Sequence, residues 1–370
     1  MTAANSRRAP AAPANIEDYL RHVVEVSASD LHLKAGGRAY VRVDGELTAV
    51  GALPSLKPAD TEAFARRLMP GDRWKAFERG DEADFAYSLP DGTRFRVAAF
   101  RQLGKVGLVL RKVGSGGPSF ADLGLPASVR KLAEEHRGLV LVTGPTGSGK
   151  TTTTAAMIGH INATRRCHIV TIEDPIEIII HDDGLAIVDQ REIGTDTASF
   201  ASALRSAARQ DPDVIFVGEM RDLETTGAAL QAATTGHLVI STLHASSAKD
   251  TVTRIIDLFP PHQQGQVRLS LASSLQGVVC QRLVPRAGGG RVAALEVMVM
   301  TSRIQELLLD SDQTGGIVDA IAEGDYYGMQ TFDQHLLQLH AAGQVTLQDA
   351  MDHASTPHDF RIAVRAAGVG

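Results

Sequence analysis

Residues 144–151 read Gly-Pro-Thr-Gly-Ser-Gly-Lys-Thr, which fits the phosphate-cradling pattern G-x-x-x-x-G-K-[ST]. The glycines let the backbone curl so that successive N–H groups point inward at anionic oxygens. Lys150 adds a positive charge for the β- and γ-phosphates, and the Thr151 hydroxyl is suited to ligate Mg²⁺. Such a loop needs a strand before it and a helix after it. Residues 138–143 (GLVLVT) form a short apolar, β-rich run, and residues 152–158 (TTTAAMI) open a helix whose N-terminus favours anions. The pattern predicts binding of a nucleoside triphosphate through Gly144, Pro145, Thr146, Gly147, Ser148, Gly149, Lys150, Thr151 and Thr152. It also commits the surrounding chain to an α/β fold.

The rest of the chain is compatible with that commitment. At 370 residues, 44% hydrophobic and 22% charged, it can bury a sizeable core and is expected to form two domains. The net charge of −6 weighs against wholesale nucleic-acid binding, which usually shows a basic face. Two cysteines, Cys167 and Cys280, offer neither a disulfide framework nor a structural zinc site by themselves. A reducing cytoplasm is the simpler expectation. No apolar run approaches the length of a membrane span, and no apolar segment follows Arg7 and Arg8, so no signal peptide is expected.

Along the chain, residues 1–14 are rich in Ala and Pro and read as a disordered tail. Apolar positions Ile16, Tyr19, Leu20, Val23 and Val24 predict a helix. Residues 30–34, 40–44 and 46–50 alternate as half-buried strands, with a hairpin turn at Asp44-Gly45. A helix over 58–69 and a meander over 84–89, 93–101 and 106–113 complete an α+β domain over 15–113. Residues 114–120 begin Gly-Ser-Gly-Gly-Pro and read as a linker or hinge. From 121 to 370, strands expected at 138–143, 168–172, 185–189, 214–217 and 237–241 alternate with helices at 125–135, 200–209 and 223–234. Beyond about 260 the pattern reads as mainly helical, with one short strand near 291–297.

Three further segments carry chemistry. Residues 171–177 (TIEDPIE) put three acids at the end of an apolar strand, where α/β folds place their ligand crevice. They fit carboxylates that orient water or hold a metal shell, and equally a charged exit from a strand. Residues 213–222 (DVIFVGEMRD) are an apolar strand ending in Glu219, the Walker B arrangement for holding Mg²⁺. Residues 235–244 (TGHLVISTLH) bracket a strand with His237 and His244, read either as satisfied imidazoles or as sensors of the γ-phosphate.

These four segments in this order resemble the secretion and pilus motor ATPases, and within them the type IV pilus twitching-motility branch, PilT/PilU-like. The resemblance runs from residues 28–33 (ASDLHL) to residues 328–334 (GMQTFDQ), and residues 211–222 (DPDVIFVGEMRD) are its most specific part. It implies a PAS-like N-terminal α+β domain and a RecA-like P-loop ATPase domain with a helical C-terminal part. It implies Mg-dependent hydrolysis of ATP by a hexameric ring at the cytoplasmic face of the inner membrane. The ring would be held there only through partners, an inner-membrane pilus platform protein and a paralogous pilus ATPase, with no nucleic acid. Carried over by motif, Glu177 is the general base for water, Glu219 the Walker B acid and Mg²⁺ ligand beside Thr151, and His237 and His244 the histidine box. Arg96 and Arg111 match family positions that reach the nucleotide, and such arginines neutralise charge developing on the γ-phosphate. Arg205 and Arg209, four apart on one helical face, are weaker candidates.

Two departures refine the expectation. The four-cysteine zinc motif of assembly and type II secretion relatives is impossible with two cysteines. The family's C-terminal Ala-Ile-Arg-Asn-Leu-Ile-Arg-Glu segment is replaced by residues 302–310 (SRIQELLLD), which keep its register and lose its arginines. The resemblance thus leaves a pilus-retraction motor and, as the alternative, a PilU-like accessory partner of a primary retraction ATPase. A RecA-like nucleic-acid translocase is a distant third reading.

Overall fold

Period-two alternation decides the first half of the chain. In the computed structural model, which describes residues 15–369 apart from Ala52, Leu31 and Leu33 of strand β1 (Asp30–Lys34) point into a core while His32 and Lys34 face the other way. The tail expected over residues 1–14 lies outside the described residues. The chain divides after Gly114 into two units. The first is a six-stranded antiparallel sheet in the order β3-β2-β1-β6-β5-β4, with β2 Tyr40–Val43, β3 Glu46–Ala49, β4 Ala83–Ser88, β5 Arg94–Gln102 and β6 Lys105–Lys112. Helices α1 (Ile16–Glu25), α2 (Pro58–Leu68) and α3 (Gly71–Glu78) bury Tyr19, Leu20, Phe64 and Phe77 against Leu31, Phe95, Val97 and Leu110. The β2–β3 turn has φ of 49° at Asp44 and 88° at Gly45, the paired left-handed conformations of a type I′ hairpin. Leu103-Gly104 makes the same turn between β5 and β6, although Leu103 is an unusual residue for it.

The second unit is built on a seven-stranded sheet. Its strands are β7 (Gly138–Thr143), β8 (His168–Glu173), β9 (Ile187–Glu192), β10 (Val214–Val217), β11 (Leu238–Leu243), β12 (Leu275–Pro285) and β13 (Arg291–Val299). The order is β9-β8-β10-β11-β7-β12-β13, parallel throughout except for the β12–β13 hairpin. Both faces of the central strands are covered, so β7, β10 and β11 are buried at every position. Val140 and Val142 pack with Phe120, Val129, Met157 and Ile161 from α4 (Phe120–Leu123), α5 (Ala127–Glu134) and α6 (Lys150–Thr164). Leu139 and Leu141 face the opposite core, shared with α7 (Phe200–Ala207), α8 (Leu223–Thr234), α9 (Ala248–Asp257) and α10 (Pro261–Ser274). Toward the C-terminus follow α11 (Ser302–Leu309), α12 (Ile317–Ala322), α13 (Phe332–Ala341), α14 (Leu347–His353) and α15 (Pro357–Ala367).

Two features differ from the sequence reading. The region beyond 260 is not uniformly helical: the eleven-residue β12 pairs with β7, and β13 closes the sheet edge beside it. Buried on both faces, β12 has no clean alternation, so periodicity alone does not separate it from the preceding helix. The unit boundary falls at the start of the expected linker, after Gly114, and the residues from Gly116 on are anchored in the second unit. Gly116 N–H donates to Ile179 O at 2.9 Å, and a Cβ on Gly117 would stand 3.1 Å from Ala155 O on α6. Phe120 on α4 is buried with Ile158 and Ile161.

The hairpin and α13 are joined through His335, whose Nδ1 accepts from Leu295 N–H at 2.9 Å. Burial pushes this imidazole down from its ordinary 6.5 to about 4. Between those values the unfolded chain binds a proton that the folded chain refuses, so the group's contribution is complete above pH 6.5 and is lost as pH falls toward 4. Urea unfolding should therefore show up to about 3 kcal/mol of acid-side loss traceable to this group. His335→Gln should flatten that part of the profile, and an unchanged slope would contradict the assignment.

Candidate functional site

All parallel strands end at the same edge of the sheet, and the residues that follow three neighbours line that edge. Register pairs Leu243 of β11 with Thr143 of β7, and Val217 of β10 with Ser241 of β11. Gly144, Glu219 and His244 therefore emerge side by side, at the crevice beyond the carboxyl ends where such sheets bind ligands. The loop leaving β7 turns into α6 with φ of 146°, 79° and 89° at Gly144, Gly147 and Gly149. Gly149 is the N-cap of α6, and no side chain among the described residues caps that end. The first backbone N–H groups of α6 are thus left for an anion. Lys150 Nζ folds back onto Gly144 O at 2.9 Å and Pro145 O at 3.1 Å.

His244 stands between Lys150 and Glu219. Its Nδ1 lies 3.5 Å from Lys150 Nζ, and its Nε2 lies 3.3 Å from Glu219 Oε1. The other Glu219 oxygen pairs with Arg221 at 2.7 Å. Burial lowers the Lys150 pKa, and the carboxylates of Glu219 and Glu177 act in the opposite sense. Glu177 is exposed beyond the end of β8, within electrostatic reach of both Lys150 and Glu173. Glu173 is the buried acid of that segment. Burial raises its pKa, opposed by hydrogen bonds from Thr171 Oγ1 at 2.6 Å and Gln190 Nε2 at 3.1 Å. A cavity of about 640 Å³ opens beside Pro145 and His244, reached also by Ser246, Arg254 and Arg282.

The structure does not bring every expected residue to this edge. His237 precedes β11, a whole strand away from His244, or roughly 20 Å at the usual rise per residue. Its Nδ1 faces Ala232 O at 3.0 Å, a local contact at the end of α8. Arg96 and Arg111 belong to the first unit, where they oppose each other across β5 and β6. Asp30 is register partner to both Arg111 and Arg42, so one row across the sheet reads Arg42, Asp30, Arg111, Arg96. Burial alone would raise the Asp30 pKa, but the Ser29 hydroxyl and the Arg111 guanidinium bring it below the ordinary value. Arg111 Nε donates to Asp30 Oδ1 at 2.8 Å while its side chain stays 71% exposed, and Arg96 is also exposed. The row thus carries three cations against one acid. Arg209 Nη1 donates to Arg205 O, a contact within its own helix end.

Sequence reasoning missed Gln281. It lies on β12, is 2% exposed, and donates from Nε2 to Ser148 O at 2.6 Å. Its Oε1 accepts from Thr153 Oγ1 at 2.7 Å. Nothing about a glutamine in this strand, which also holds Gln276 and Arg282, signals such a contact; only the pairing of β12 with β7 creates it.

A glycine-rich loop between a buried parallel strand and an uncapped helix, with an acid and a histidine converging on its lysine, defines a P-loop protein of the α/β class. Residues 6–289 match the model of the type II/IV secretion system protein family, and the chain belongs to that family. It is 44% identical to the type IV pilus retraction ATPase PilT of Pseudomonas aeruginosa, over 94% of this chain and 100% of that protein. It is 41% identical to the type IV pilus ATPase PilU of the same organism, over 94% and 91% of the two chains. A crystal structure of the pilus retraction motor PilT with bound ADP superposes with a TM-score of 0.86 at 44% identity, covering 94% of this chain and 98% of that one.

Within the loop, Gly147 and Gly149 both hold left-handed backbone, but their surroundings differ. A Cβ on Gly147 would meet open space, and one on Gly149 would lie 2.7 Å from Gln281 Nε2. Gly147→Ala should cost about 1–2 kcal/mol of backbone strain alone. Gly149→Ala should cost more, because Gln281 must also move. Equal losses in denaturant unfolding would refute the contact.

Proposed function

We propose that this chain is an ATP-hydrolysing ring motor that powers type IV pilus retraction. The observation that carries the reading is the meeting of Lys150, His244 and Glu219 at one sheet edge, in a chain that matches PilT over that protein's whole length. The two units are read as a PAS-like domain and a RecA-like ATPase domain, and six copies as a ring at the cytoplasmic face of the inner membrane. Partners are an inner-membrane platform protein and a paralogous pilus ATPase; the presence of both PilT and PilU among the relatives supports the second of these.

In this reading Gly144–Thr152 cradle the phosphates, and Lys150 leaves the Gly144 and Pro145 carbonyls to meet the β- and γ-oxygens. Mg²⁺ suits the hard oxygens of the Thr151 hydroxyl and the Glu219 carboxylate, since it binds through one or two protein oxygens plus substrate phosphates. When bound, the ion neutralises charge on the phosphates being separated. Glu177, exposed at the mouth of the site, orients the attacking water and takes its proton. His244, touching both Lys150 and Glu219, reports the γ-phosphate to the strand behind it, whereas the second histidine of the motif, His237, lies at the far end of that strand. Arg96 and Arg111, which the resemblance assigns to charge neutralisation on the nucleotide, lie side by side on the cationic row of the first unit.

One observation favours the accessory reading. Helix α11 buries Ile304 and Leu308, and it carries Gln305 and a 42% exposed Leu309 where the resemblance leads one to expect arginines. Complementation separates the two readings. In a strain lacking its own copy, Glu177→Gln should abolish motility if this chain is a motor, because loss of a general base slows turnover by roughly 100-fold or more. Full motility with the variant would leave the accessory role.

A further inference from the structure

The curl of a P-loop is entropically costly to hold without ligand: its three positive-φ glycines are the residues with most backbone freedom to lose, and no side chain among the described residues caps α6. Something must hold the loop open for phosphate, and β12 supplies it. Gln281 touches both ends of the loop. At its start, the Gln281 carbonyl lies so close to Gly144 that any Cβ there would collide with it. At its end, Gln281 Nε2 donates to Ser148 O at 2.6 Å and abuts Gly149. The same side chain accepts from Thr153 Oγ1 at 2.7 Å, one turn into α6. Because Gln281 is 2% exposed, water cannot replace either bond, and both amide atoms have one buried partner each.

From this geometry we infer that Gln281 is a positioning residue for nucleotide binding. It clamps the Ser148 carbonyl outward and ties the loop to the first turn of α6, so the N–H groups of the loop face the site before a phosphate arrives. Preorganisation of this kind raises affinity by removing ordering costs from the binding step. The role depends on the reading of residues 144–152 as a nucleotide cradle, and Gln281 itself is not proposed to touch the nucleotide. The neighbours on β12 serve other ends. Cys280 faces the opposite core, where it accepts from Thr143 Oγ1 at 3.0 Å, and Arg282 stacks 3.9 Å from the Phe332 ring and bonds His353 O on the C-terminal helices.

The test is equilibrium titration of the full-length protein with MgADP. Gln281→Met keeps the volume and loses both hydrogen bonds; it should weaken MgADP binding about tenfold. Thr153→Val removes only the second bond and should weaken binding about fivefold, whereas Thr153→Ser keeps the hydroxyl and should restore affinity. The double variant Gln281→Met with Thr153→Val should bind about as well as Gln281→Met alone, since both changes break one clamp. If Gln281→Met folds poorly, Thr153→Val against Thr153→Ser still decides. MgADP affinities within about twofold of the unaltered protein in both Gln281→Met and Thr153→Val, or an additive double variant, would overturn the clamp and leave the nucleotide reading intact. An unaltered protein that fails to bind MgADP would overturn that reading and the clamp with it.

Discussion

Parallel pairing of β8, β10, β11 and β7 is the constraint on which the second unit depends. Strands that run the same way must each be followed by a crossover, so their carboxyl ends share one edge and their connecting helices cover both faces. Chemistry then follows from register. The offsets between β10, β11 and β7 decide that Glu219, His244 and Gly144 are neighbours, although 75 residues separate Gly144 from Glu219 in the sequence. Apolar strand residues do most of the placing, and the residues of the site follow where the strands stop.

Electrostatics at that edge is a chain of alternating sign. Lys150 is partly desolvated and would lose its proton more readily there, but Glu219 and Glu177 oppose this. Arg221 in turn shares Glu219, and the imidazole of His244 lies between lysine and carboxylate. An incoming polyphosphate enters this array as a competitor for Lys150, which rests on backbone carbonyls of its own loop. Exchange of neutral carbonyl acceptors for phosphate oxygens is favourable because an anionic acceptor adds Coulomb attraction to the lysine's hydrogen bond. The buried Glu173 has a different part: held by Thr171 and Gln190, it anchors the base of the segment whose tip is Glu177.

Much of this edge is legible in the sequence alone. The P-loop octet, the apolar runs of β7 and β10 and the Asp44-Gly45 hairpin rest on local chemistry: backbone freedom at glycine, continuous burial and turn preference. The α/β architecture follows from their alternation. What escapes a sequence reading depends on long-range pairing. β12 reads as more helix because a strand buried on both faces has no period of two, and with it escapes Gln281, whose partners Ser148 and Thr153 lie 133 and 128 residues earlier. The separation of His237 from His244 follows from strand length, since seven residues of extended chain cannot bring both ends to one site. The arginine row of the first unit needs register: Arg96 and Arg111 read singly as outward strand residues, and only the pairing through Asp30 and Arg42 reveals a concentrated cationic surface.

If the edge formed by Lys150, His244 and Glu219 hydrolyses ATP, steady-state turnover by the purified protein with Mg²⁺, set beside Glu219→Gln, will show it. The unaltered protein should turn over ATP measurably, and the variant should be slower by roughly 100-fold or more, the usual scale for losing one preorganised electrostatic group. Turnover by Glu219→Gln equal to that of the unaltered protein would contradict a hydrolytic role for this edge.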